Sequence, residues 1–107
     1  MEKNRFMRLL LVFDLPTLTP EQRRSYRIFR KWLISEGFIM LQESVYSKLA
    51  LNNNSSKLII ENVKKHKPQE GSIQIFVLTE KEFNNREIII GEIQTEVLDT
   101  MDKVVII

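Results

Sequence analysis

Phe6-Met7-Arg8-Leu9-Leu10-Leu11-Val12-Phe13, closed by Asp14 and followed by Leu15-Pro16, is the stretch on which the fold turns. It is apolar on both faces, as expected of a central strand covered by helices on one side and by something else on the other. Side chains alternate across a strand, so Arg8, Leu10, Val12 and Asp14 share one face and Met7, Leu9, Leu11 and Phe13 the opposite one. Asp14 is then a carboxylate at the tip of a buried first strand. A lone carboxylate holds a hard cation poorly. A chemical role for Asp14 therefore requires a second acid, and the nearest source is another copy of the same chain.

Beyond the strand, Thr19 caps a helix whose first residue is Pro20, with Gln22 completing a capping box. Tyr26, Phe29, Trp32 and Leu33 form its apolar stripe, and Gly37 ends it. Residues 38–51 read as extended and interrupted near Gln42-Glu43, either one kinked strand or two short ones. Asn52–Ser56 is a turn and cap, and the spacing predicts a helix near 55–66 that buries Leu58, Ile59 and Val63. Lys67–Gly71 breaks it. A strand follows at 72–79, then a helical turn at Glu80–Asn85 and a further strand at Glu87–Ile90. Phe6, Phe13 and Phe76 are assigned to the core. The order predicts an α+β fold, a ferredoxin-like βαββαβ-type sandwich with both helices on one face of the sheet.

The other face is too apolar to meet water, and a second copy is its natural cover, giving a homodimer. Ile88-Ile89-Ile90 and Val104-Val105-Ile106-Ile107 are β-prone runs joined by a charged connector, Gly91–Lys103. Residues 1–90 are expected to form the ferredoxin-like domain. Residues 91–107 form either a connector and strand crossing to the partner's sheet, or an extra hairpin or tail on their own subunit.

With 107 residues, the length suits one domain, and a hydrophobic content of 43% argues against disorder. Cysteine is absent, which excludes disulfides, iron–sulfur clusters, thiolate zinc and cysteine nucleophiles and suits a cytoplasmic protein. No apolar stretch is long enough to span a membrane, and the first residues do not read as a signal peptide. Net charge is only +2, but its distribution is uneven. Arginines crowd the first third, lysines gather at 57–67, and most acids lie later. Arg23, Arg27, Arg30 and Lys31 follow helical spacing on the polar side of the first helix. Such a stripe is either a solvated helix face or a surface for a nucleic-acid backbone, which it would position without reading its sequence.

Asp14 has two readings. It could hold Mg²⁺ or Mn²⁺ together with its symmetry mate in a phosphodiester-cleaving site, or it could accept backbone hydrogen bonds and organise the turn into the helix. Arg8, on the same strand face, could reach a phosphate or simply keep a sheet edge soluble. His66 is the only histidine, so a histidine triad or multi-histidine metal site is excluded within one subunit. There is no glycine-rich phosphate loop, and Ser44 and Ser47 have no general base in view. Gln42, Ser44 and Tyr46 lie where hydrogen bonds across a subunit boundary are as plausible as catalytic roles.

An aspartate closing strand one, combined with Gln42-Glu43-Ser44-Val45-Tyr46 after helix one, is a specific pairing. With the stretches Arg5–Thr17, Arg24–Gln42, Ser44–Leu49 and Gly71–Phe83, it resembles the small CRISPR-associated proteins of the spacer-acquisition machinery, the CRISPR-associated endoribonuclease family. The likeness covers essentially the whole chain and is greatest to versions accompanying type II-A systems. It implies a ferredoxin-like homodimer with strand exchange at its C-terminus and facing strand-one aspartates. Mg²⁺-dependent phosphodiester hydrolysis has been assigned to those aspartates, which maps onto Asp14, and Phe13 matches the aromatic residue often found before them. The resemblance also implies a bridge between CRISPR integrase subunits that holds double-stranded DNA. Members differ in cutting RNA, double-stranded DNA or nothing detectable. Three functions thus stand open: a metal-dependent endonuclease that also scaffolds the integrase, a catalytically inactive nucleic-acid scaffold, and a stand-alone toxin-like ribonuclease.

Overall fold

The computed structural model describes residues 5–90. Seven elements follow in chain order: β1 (Met7–Asp14), α1 (Pro20–Ser35), β2 (Ile39–Gln42), β3 (Val45–Ala50), α2 (Asn53–His66), β4 (Ser72–Thr79) and α3 (Glu80–Asn84). The strands form one sheet in the order β2-β3-β1-β4, with every neighbouring pair antiparallel. This order and sense match a ferredoxin-like unit, with β1 central. Burial alternates strictly along β1: Met7, Leu9, Leu11 and Phe13 are buried, while Asp14 at the end of the other face is exposed.

Local chemistry sets the helix ends. Thr19 Oγ1 accepts from the Gln22 N–H, and Gln22 Oε1 accepts from the Thr19 N–H, so two of the donors orphaned at the start of α1 are satisfied. After Ser35 the chain turns at Gly37, whose φ of +96° is open to glycine and strained for other residues. There the Phe38 N–H returns to the Leu33 carbonyl. On the sheet side, Phe29 and Leu33 are buried against Leu11, Phe13, Phe38, Tyr46 and Val63. Phe13 lies edge-on to Tyr26 and Phe29 and stacks on Tyr46, with ring centroids 5.8–5.9 Å apart. Each fully buried side chain of this kind contributes roughly 1.5–3 kcal/mol. Asp14 therefore follows directly on a rigidly packed aromatic anchor.

The stretch 38–51 resolves into two strands rather than one. A bulge falls between Met40 and Gln42, and Ser44 turns the chain with φ of 67°. Three expectations are corrected. Leu58 is 68% exposed, because α2 starts at Asn53 and turns Ser56, Ile59 and Val63 inward instead. Phe6 and Phe76 are each 49% exposed rather than core. The register pairs Phe76 with Leu10, which puts it on the sheet face away from the helices. Glu87–Ile90 forms no strand, and Ile88, Ile89 and Ile90 are exposed. A strand needs a neighbour for its ladder, and among the described residues none lies beside this segment. The expected connector and crossing strand at 91–107 lie outside the described residues.

The outer sheet face is largely apolar, and α3 covers it only at its Arg8 end. Ile39, Ser47, Leu10 and Phe76 form one row across all four strands, flanked by Leu49, Val45, Val12 and Leu78. Arg8 and Asp14 are the charged strand residues of that face, and they stand at opposite ends of β1.

Candidate functional site

Asp14 ends β1 at the rim of the outer face, paired in register with Ser72 of β4. The turn that follows does not depend on its carboxylate. Gln22 Oε1 accepts from the Leu18 and Thr19 N–H groups, and Arg23 Nη1 donates to the Thr17 and Leu18 carbonyls. Among the described residues no cluster of three or more histidine, aspartate or glutamate side chains could hold a metal ion. Asp14 is the exposed carboxylate that β1 itself brings to this rim. A second copy would bring a second Asp14 to the site, and the pair would fall within the one or two carboxylates that commonly hold Mg²⁺, with the remaining positions filled by water and phosphate.

Arg8 lies six residues from Asp14, about 20 Å along the strand at ~3.3 Å per residue. One subunit cannot bring both onto a single phosphate. The Arg8 guanidinium instead forms a two-point pair with Glu80: Nε to Oε1 is 3.1 Å and Nη2 to Oε2 is 2.6 Å. It also sits over the Phe83 ring at 4.7 Å, while Arg86 lies 3.9 Å from the centre of the same ring. The hydrogen bond from Arg8 holds the Glu80 carboxyl below the usual glutamate range, opposed by partial desolvation.

The basic stripe lies on the helical layer, on the far side of the sheet from Asp14. Its members differ in environment. Arg23 is exposed, but its guanidinium is engaged with the loop carbonyls. Arg30 is half-buried, whereas Arg27 and Lys31 are exposed. Arg24 is exposed too and shares the outward side with them. Arg24 is one of the arginines crowding the first third but is not among the stripe residues named from sequence. The same helical spacing that selected Arg27 and Lys31 would have included it.

His66 ends α2 and stacks on Trp32 of α1, with ring centroids 4.1 Å apart. Its Nδ1–H donates to the Asn62 carbonyl at 2.9 Å, so the ring pins two helices together. A cleft of about 620 Å³ beside it runs between α1 and the α2–β4 connection, lined by Leu15, Tyr26, Lys67 and Glu70 among others. That cleft opens on the helical side, away from the face that carries the Asp14 carboxylate.

Residues 7–86 match the family model described as CRISPR associated protein Cas2. A Treponema denticola protein named CRISPR-associated endoribonuclease Cas2 is 48% identical over 101 residues, spanning 94% of this chain and all of the relative. A Streptococcus mutans protein of the same name is 46% identical, over 92% of this chain and 91% of the relative. One from Ligilactobacillus salivarius is 40% identical, over 94% of this chain and all of the relative.

Proposed function

This chain belongs to the Cas2 family of CRISPR-associated proteins, and from that membership we propose that it serves spacer acquisition as a homodimer that holds duplex DNA beside the integrase. We further propose that the paired Asp14 carboxylates form a metal-dependent endonuclease site acting on RNA or double-stranded DNA. One observation carries this reading: a largely apolar sheet face, covered in one chain only at its Arg8 end, with Asp14 at the opposite rim. Covering that face with a second copy removes exposed Ile39, Leu49 and Phe76 from water and sets two rims side by side. The long edge of β4 contains neither charge nor proline, whereas the β2 edge is short and bulged. The exposed Ile88–Ile90 run of the other copy is a fitting strand for that β4 edge.

Within such a pair, the Asp14 carboxylates would hold Mg²⁺ or Mn²⁺. The bound ion would supply Lewis acidity and offset charge at the phosphate. The chain's own part is to fix the two acids through Phe13, buried beneath them, and to offer Arg24, Arg27 and Lys31 to the nucleic-acid backbone. A scaffold without turnover is the second reading, favoured by the lack, among the described residues, of a cluster of three or more side chains that could hold a metal ion. The substitution Asp14→Asn separates the two. The nuclease reading predicts that Mg²⁺-dependent cleavage falls by roughly 100-fold or more while duplex binding and spacer capture persist. Equal cleavage by both proteins would overturn it, and no cleavage by either, with capture intact, would leave the scaffold.

A further inference from the structure

Two residues with left-handed backbone bracket Asp14, each immediately before one of the strands beside β1. On the β3 side, Ser44 has φ of 67°, and its carbonyl accepts from the Phe13 N–H at 3.0 Å. That bond fixes the residue immediately before Asp14. On the β4 side, Gly71 has φ of +108° and leads into Ser72, the register partner of Asp14. A Cβ added at Gly71 would lie 2.5 Å from Leu15 Cδ2, 2.9 Å from the Asp14 carbonyl oxygen and 3.2 Å from Leu15 Cα. The leucine side chain could move aside. The two backbone atoms could not, because Phe13 is locked into the core just upstream and the Thr19 cap is fixed downstream. Non-glycine residues seldom adopt positive φ, and such conformations persist only where the surroundings impose them.

We propose that Gly71 and Ser44 are positioning residues for the Asp14 carboxylate: they clamp the end of β1 from both neighbouring strands, so that two copies present their acids at a fixed height above the shared sheet face. Gly71 does so by close approach to the Asp14–Leu15 peptide, and Ser44 by its carbonyl. The metal-binding consequence rests on the Asp14 reading proposed above. The clamp itself does not.

The test compares the full-length wild-type chain, Asp14→Asn, Gly71→Ala, and a chain made by total synthesis with D-alanine at position 71. D-Alanine accepts positive φ and places its methyl at the other hydrogen position of the Gly71 Cα. Two readouts are followed: binding of Mn²⁺ by loss of the free-ion EPR signal, and the orientation of the Asp14 and Leu15 N–H vectors by NMR residual dipolar couplings. The expected result is that Gly71→Ala keeps the wild-type far-ultraviolet spectrum but changes the Asp14 and Leu15 couplings and weakens Mn²⁺ binding by about tenfold or more, while the D-alanine protein behaves as wild type. Unchanged couplings in Gly71→Ala, or equal losses in both alanine forms, overturn the clamp. If wild type binds Mn²⁺ no better than Asp14→Asn, the metal reading fails, and the couplings alone decide the clamp by the same criteria. Should Gly71→Ala not fold, Ser44→Ile against Ser44→Gly replaces it: displaced couplings only in the isoleucine form support the clamp, and identical couplings overturn it.

Discussion

At the scale of single residues, position matters more than identity. Arg8 and Arg27 are both arginines that sequence reading offered to a phosphate. The structure ties Arg8 to Glu80 and leaves Arg27 exposed on α1. The Arg8–Glu80 pair makes stability depend on pH in a defined sense. The folded-state pKa of Glu80 is lowered, so the pair's contribution is fully present above the ordinary glutamate value and is lost as pH falls through the lowered one. Glu80→Gln should therefore lower the urea midpoint near neutral pH, and the gap to wild type should close as pH drops below about 5. A constant gap across that range would show that the loss comes from packing of the shorter-ranged amide and not from charge. Asp14 differs from both: the turn after it is held by Gln22 and Arg23, which leaves its carboxylate without a structural duty there.

At the scale of elements, α1 is the best example of local rules agreeing with the fold. Its capping box, apolar stripe and terminal Gly37 were legible because each is fixed by neighbours in sequence. Strand β4 was equally plain from its alternation. The errors arose where tertiary placement decides. Leu58 and Ile59 are adjacent apolar residues of α2, and one position of helical phase chooses between them. Phe76 reads as core by composition, yet its register with Leu10 puts it on the outer face. Ile88–Ile90 has strand composition but no adjacent edge among the described residues. The Asp14 rim was legible as a strand end, whereas its clamp was not, because a positive φ at Ser44 leaves no mark in composition. For α1 the outward cations carry a direct prediction. Replacing Arg24, Arg27 and Lys31 together with glutamine should flatten the log–log salt dependence of duplex binding by about one unit per lost phosphate contact. An unchanged slope would move the duplex to another surface, with Lys57, Lys64 and Lys65 of α2 and the adjoining Lys67 next in line.

At the scale of the whole molecule, α1 and α2 cover one face of the sheet, whereas the other is covered only at its Arg8 end, by the short α3. That outer face carries Ile39, Leu10 and Phe76 in a single row. Pairing of two chains through that face makes both the apolar row and the single Asp14 intelligible. Phe76→Asp, which sets a charge at the centre of the row, should leave each chain folded and weaken self-association by roughly 100-fold or more in sedimentation equilibrium. The most direct measurement uses the absence of cysteine in this chain. Asp14→Cys and, separately, Leu58→Cys each introduce one thiol, at the rim of the open face and on the helical side. Treatment with a short thiol–thiol crosslinker should join Asp14→Cys chains rapidly into covalent dimers and leave Leu58→Cys chains single. A monomer in solution, or crosslinking that is no faster at position 14 than at position 58, would contradict the pairing of the two acids.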